Sequence, residues 1–234
     1  MRKVISKDGT PIAFDQSGEG PPIILVVGAF NDRSTGAPLA AQLSEHFTVF
    51  NYDRRGRGAS GDRTLYAIER EIEDLAALIT EAGGSSSVFG YSSGAVLTLK
   101  AAASGLAISR IAVYEPPFLV DDGFPQRARD VSVRLTELLS SGRRGDAVEL
   151  YQKEMVGIPA EIVAQLRQAP FRSALENIAH TLVISGGNSQ ARMRSAAQTL
   201  ADALPNAQHR SLEGQTHDIV PAVLAPVLEE FFAS

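Results

Sequence analysis

The chain has no cysteine and no tryptophan, and aromatic residues make up only 6% of its 234 positions. Without cysteine there are no disulfides, no thiolate metal sites and no cysteine nucleophile; redox compartment stays open, because exported proteins can lack the residue too. No apolar stretch approaches bilayer-spanning length without interruption by charge or turn residues, so no membrane-spanning helix is expected. Residues 1–9 carry basic side chains but no apolar core of signal-peptide length before Asp8-Gly9, and the plain expectation is a soluble cytoplasmic protein. An excess of positive charge is also missing. A net charge of -5 and a pI near 5.4 argue against nucleic acid or an anionic membrane as the main partner. Internal repeats and low-complexity segments are absent as well.

What is present suits one α/β domain over residues 1–234: 44% of the residues are hydrophobic, and the length is sizeable for one core and short for two. The chain is organised around Ser87-Val88-Phe89-Gly90-Tyr91-Ser92-Ser93-Gly94-Ala95-Val96-Leu97, an apolar run entering Gly-x-Ser-x-Gly and leaving into a helix-forming segment. A strand that reverses into a helix within so few residues forces the central residue toward positive φ. Gly90 and Gly94 remove side chains that would collide across the bend. Ser92 is thereby lifted to a helix N-terminus, where free amides and the positive dipole end favour a developing oxyanion, and the Ser93 amide is one donor to it.

Before that stretch, residues 3–7 and 10–16 read as strands joined by Asp8-Gly9. Ile23 to Val27 is a continuous apolar run, as in a parallel strand buried on both faces, and an Ala/Leu-rich helix is expected over about 37–46. Phe47 to Tyr52 leads into Asp53-Arg54-Arg55-Gly56-Arg57-Gly58-Ala59-Ser60, with Gly-x-Ser-x-Gly about 30 residues later. With both motifs in place, the chain resembles the α/β-hydrolase family, whose members carry D-x-R-G-x-G-x-S and then G-x-S-x-G at this separation. The resemblance implies that Asp53 and the three arginines brace a loop near the site or are solvated, with no phosphate-binding role.

Ile68, Ile72, Leu75 and Ile79 recur at helical spacing, predicting a helix over 66–82 that stops at Gly83-Gly84. Buried strands are expected at 111–114 and 181–185, a helix at about 190–203, a strand near 207–212 and a C-terminal helix whose start Pro221 and Pro226 leave open. Residues 118–179 show broken helical periodicity and stand where the resembling family has its lid; they are read as a short helical insertion, too poor in apolar residues for its own core. The architecture implied is a mostly parallel sheet with helices on both faces.

A serine nucleophile needs a base within reach and a group that orients the base. Of the four histidines, His217 follows the last predicted strand, where the family places its catalytic histidine; His46, His180 and His209 have ordinary surface or capping explanations. In most relatives an aspartate lies three residues after a glycine beyond the strand corresponding to 181–185, but here Gly186-Gly187-Asn188-Ser189 puts serine there. Glu115, at the end of the preceding strand and followed by Pro116-Pro117, is the preferred carboxylate, since some relatives carry their acid after that strand. Its alternatives are a lid brace at Glu115, Asp218 beside the histidine, and an incomplete triad. By resemblance, the second oxyanion donor is the Ala29 amide. Phe30, Tyr91 and Phe118 either line an acyl or alcohol pocket or belong to the core.

The expectation is therefore a serine hydrolase cleaving an ester-like bond of a small, moderately apolar substrate through an acyl-enzyme, with no metal or organic cofactor required. Lactonase, thioesterase, amidase, carbon–carbon bond hydrolase and cofactor-free perhydrolase chemistry uses similar parts. A ligand-binding protein without turnover is the rival reading, and the missing aspartate is its best support.

Overall fold

Asp8-Gly9 reverses the chain between β1 (Arg2–Ile5) and β2 (Pro11–Ser17), with Gly9 at φ 84 and the Asp8 carboxylate accepting the Thr10 amide at 3.0 Å. This hairpin opens an eight-stranded sheet. The computed structural model describes residues 1–63, 66–117, 130–131, 133–134, 137–138, 140–143, 180–204 and 206–233. The insertion expected over 118–179 falls mostly outside them, as does Phe118.

The remaining strands are β3 (Pro22–Val26), β4 (Thr48–Tyr52), β5 (Ser86–Tyr91), β6 (Ile108–Tyr114), β7 (Thr181–Gly186) and β8 (Ala207–Leu212). In space they run β1-β2-β4-β3-β5-β6-β7-β8. The β1/β2 and β2/β4 pairs are antiparallel and all others parallel. The carboxyl ends of β3, β5, β6, β7 and β8 therefore share one edge, where parallel sheets handle ligands.

The apolar runs are continuous because both faces are covered. Ile23 and Leu25 pack with α1 (Arg33–Leu43) and α5 (Pro221–Ala233), through Leu39, Leu43, Leu224 and Phe232. Ile24 and Val26 point the other way, toward α2 (Ile68–Glu81) and α3 (Ser93–Ala103), through Leu75, Leu78 and Leu97. Further along that face, Val113 and Val183 meet α4 (Ala191–Ala203) through Ala197 and Leu200. Each Val, Leu, Ile or Phe side chain among these contributes about 1.5–3 kcal/mol on burial.

Two helix starts are set by single residues. Helix α1 begins near residue 33 rather than 37, because the Asp32 side chain caps it by accepting the Ser34 amide at 2.8 Å. It ends at Leu43 in a tight turn, with the amides of His46 and Phe47 on the Leu43 carbonyl. Helix α5 begins on Pro221 itself, a first-turn position where the missing N–H costs no hydrogen bond.

The Asp53–Ser60 segment is a brace. Asp53 is fully buried and accepts the amides of Arg33 and Ala59, both at 2.8 Å, as well as the Arg33 guanidinium. Arg55 is buried between Asp74 and Asp8. Gly58 at φ 50 lies against the Asp53 carboxylate, where a β-carbon would collide. Among the described residues no helix is long and apolar enough to cross a membrane.

Candidate active site

The turn after β5 places Ser92 at φ 53, ψ -121, immediately before α3. Such sparsely populated backbone costs a non-glycine residue on the order of 1–3 kcal/mol, so the surroundings must over-determine it. The Ser92 amide donates to the Tyr114 carbonyl and the Ala95 amide to the Ser92 carbonyl, both at 2.9 Å. The flanking glycines are sterically required. A β-carbon on Gly94 would collide with the Val26 carbonyl, and one on Gly90 would stand 2.6 Å from Ala95 Cα. Among the described residues the Ser92 hydroxyl makes no hydrogen bond.

The loop after β3 lies against the serine: a β-carbon on Gly28 would stand 3.1 Å from Ser92 Cβ. Among the described residues, the amides of Ala29 and Ser93 donate to no protein acceptor. Phe30 holds φ 60, and the residue is 54% exposed.

Among the described residues Glu115 is the third non-glycine residue at positive φ, at 45. Its amide continues the sheet to the Ile184 carbonyl at 2.9 Å, and its side chain is fully buried. One carboxylate oxygen accepts the Gly186 amide at 2.9 Å and the other meets His217 Nδ1 at 2.6 Å. Burial pushes the Glu115 pKa up, but hydrogen bonds from His217, Ser189 and the Gly186 amide outweigh it, so the net shift is downward. A carboxylate on Nδ1 fixes that nitrogen as the donor and leaves the Nε2 lone pair available. The His217 side chain is 39% exposed.

Ser189, at the position where the resemblance leads one to expect aspartate, is buried beside the Glu115 carboxylate and helps hold its pKa down. Its oxygen has no partner in full hydrogen-bond geometry among the described residues. Asp218 is exposed and makes no ion pair with His217. A cleft of about 420 Å³, lined by Glu115, Asn188, Ser189, Met193, His217 and Asp218, opens on this side.

Tyr91 is buried, with its ring 5.2 Å from the His217 ring and 6.1 Å from Tyr114. Burial, then the charges of Asp218 and Glu115, push its pKa up to about 12, so it stays neutral. Tyr114, which the sequence did not single out, donates its hydroxyl to the Thr216 carbonyl and so ties the histidine loop to β6. The Asn188 amide binds the Gln215 carbonyl at 2.8 Å, tying the same loop to the end of β7.

A serine–histidine hydrogen bond lies elsewhere. His209 Nε2 is 2.9 Å from Ser185 Oγ, and its Nδ1 is 2.8 Å from Gln198 Oε1. Ser185 is fully buried within β7, which withholds it from any substrate. His46 and His180 are exposed, as their surface reading implied.

The arginines of the Asp53–Ser60 segment reach the same neighbourhood. Arg54 forms a two-pronged pair with Glu71 at 2.6 and 2.7 Å, and its Nη1 also donates to Ser93 Oγ at 3.1 Å and the Val27 carbonyl at 3.3 Å. Arg57 Nη1 donates to the Gly28 carbonyl at 2.6 Å and the Asn31 carbonyl at 3.3 Å.

Residues 23–228 match the model of a family described as the alpha/beta hydrolase family. The crystal structure of an alpha/beta hydrolase from Sphaerobacter thermophilus is 52% identical over 99% of this chain and 100% of that one, with a TM-score of 0.87. An uncharacterized hydrolase, YraK, of Bacillus subtilis is 35% identical over 95 residues, covering 39% of this chain. The 2-(acetamidomethylene)succinate hydrolase of Mesorhizobium japonicum is 32% identical over 108 residues, covering 44% of it. The matched stretches span little more than a third of those two proteins' own lengths, 35% and 39%.

Proposed function

Because the chain belongs to the alpha/beta hydrolase family, we propose that it is a serine hydrolase that cleaves an ester-like bond of a small, moderately apolar substrate through an acyl-enzyme on Ser92. The observation that carries this reading is the 2.6 Å contact between His217 Nδ1 and the buried carboxylate of Glu115. It supplies the orienting acid that Ser189 cannot.

In this mechanism the Ser92–His217 contact closes as substrate arrives. Ser92 Oγ attacks the carbonyl carbon and its proton passes to His217 Nε2. The carbonyl π electrons move onto oxygen, where the Ala29 and Ser93 amides stabilise the charge. Collapse breaks the bond to the leaving oxygen, which takes the proton from Nε2. Water then attacks the acyl-enzyme, giving its proton to His217; the second collapse releases the acid and returns that proton to Ser92 Oγ. Glu115 stays ionised throughout, holding the ring and balancing the imidazolium.

The missing aspartate was the best support for a ligand-binding protein without turnover, and a carboxylate on Nδ1 from another strand weakens it. A panel of short-chain p-nitrophenyl esters and small lactones, run with wild type and Ser92→Ala, tests the proposal. Turnover of at least one ester that the substitution abolishes is expected. Equal rates for the two proteins, or none with either, would count against it.

A further inference from the structure

Two carbonyls of the loop after β3, those of Gly28 and Asn31, converge on a single guanidinium nitrogen, Arg57 Nη1. Between them lie Ala29, whose amide is unengaged among the described residues, and Phe30, held at φ 60. A strained residue persists only where its neighbours fix it; here one side chain grips the loop on both sides of it.

The Gly28–Ala29 peptide is trans, so its C=O and N–H point in opposite directions. With the oxygen on Arg57, the Ala29 N–H is turned the other way, and Gly28 itself packs against Ser92. Donation to the carbonyl also polarises the peptide, strengthening its N–H as a donor. The guanidinium is half-buried, and among the described residues no carboxylate pairs with it. Its pKa is lowered by burial, then by the charge of Arg54, with the nearby charge of Glu71 opposing them. An unpaired cation kept in such a place calls for a role.

Resting on the serine-hydrolase reading above, we infer that Arg57 is a positioning residue of the oxyanion hole: it sets the orientation of the Gly28–Ala29 peptide and strengthens the Ala29 amide toward the tetrahedral intermediate. Arg54 does the companion task from below. It holds the Ser93 hydroxyl and the Val27 carbonyl, so both donor segments hang on arginines of one loop. Arg57 is the better residue to change, because it borders an open cleft of about 680 Å³, whereas Arg54 is buried against Glu71.

The test compares wild type, Arg57→Gln and Arg57→Lys in p-nitrophenyl acetate hydrolysis, in affinity for phenylboronic acid as a tetrahedral adduct on serine, in affinity for acetate as a ground-state ligand, and in melting temperature. For Arg57→Gln, kcat/KM is expected to fall roughly 10- to 100-fold, somewhat less than deleting an oxyanion donor. Boronate affinity should fall by the same factor while acetate affinity and melting temperature hold, and lysine should recover most of the loss. Unchanged kcat/KM and boronate affinity in Arg57→Gln overturn the inference. So does a loss shared equally by boronate, acetate and melting temperature, which marks a merely structural arginine. A wild type that neither turns over the ester nor binds boronate removes the serine-hydrolase reading, and this inference with it.

Discussion

Glu115 and Ser189 lie side by side: the carboxylate bonded to His217 rises from the end of β6, and the buried hydroxyl beside it occupies the position after β7 where the family resemblance leads one to expect an aspartate. The two loops converge because β6 and β7 are neighbours in the sheet. An acid can thus move from one strand end to the next and still face the same ring.

That adjacency makes the acid transplantable. Glu115→Gln should lower kcat on an ester substrate by on the order of 10²-fold or more with the fold intact, because an amide can neither balance the imidazolium nor enforce the right tautomer. Adding Ser189→Asp should recover at least about 10-fold of that loss. Ser189→Asp in the wild-type background should be harmful, since two neighbouring carboxylates cannot both ionise cheaply. Near-normal rates for Glu115→Gln would send the orienting role elsewhere.

Acid stability follows from the same carboxylate. Its folded pKa lies below the ordinary value of 4.5, so the unfolded chain takes up this proton first as the pH falls. The stabilisation is complete above the unfolded value and is lost as pH drops through the folded one. Denaturation curves at a series of pH values should show a stability gap between wild type and Glu115→Gln that is widest near neutrality and narrows in acid. A gap independent of pH contradicts this.

The Arg54–Glu71 pair should be costly to break and cheap to replace. Its side chains are 5% and 3% exposed. Arg54→Met alone leaves a buried carboxylate and is expected to cost about 3–5 kcal/mol, roughly 8–15 °C in melting temperature. Arg54→Met with Glu71→Leu should regain most of that loss. A double variant no more stable than the single one would show that the pair is not what the arginine satisfies.

The sheet was legible because a strand covered on both faces reads as an unbroken apolar run, as Ile23 to Val26 and Ile111 to Val113 do. Helix α2 was legible from the spacing of Ile68, Ile72, Leu75 and Ile79. Helix α1 was misplaced because its start depends on one capping side chain, Asp32, outside the Ala/Leu-rich stretch. At the candidate site, the Gly-x-Ser-x-Gly turn pointed to Ser92, and the family resemblance pointed to Glu115 and His217 at or after strand ends. The bonds joining the loops were not legible. Tyr114 reaches Thr216 across 102 positions and Arg57 reaches Gly28 across 29, and neither leaves a periodic trace. Arg54, Arg55 and Arg57 could be read only as bracing or solvated until Glu71, Asp74 and the Gly28 carbonyl stood beside them.

The central claim, an activated nucleophile at Ser92, is tested most directly by intact-protein mass after exposure to a small fluorophosphonate, with Ser92→Ala and Glu115→Gln treated in parallel. Capture needs no knowledge of the substrate. The account expects one adduct on wild type, none on Ser92→Ala, and markedly slower labelling of Glu115→Gln. No adduct on folded wild-type protein, or an adduct that survives Ser92→Ala, would contradict it.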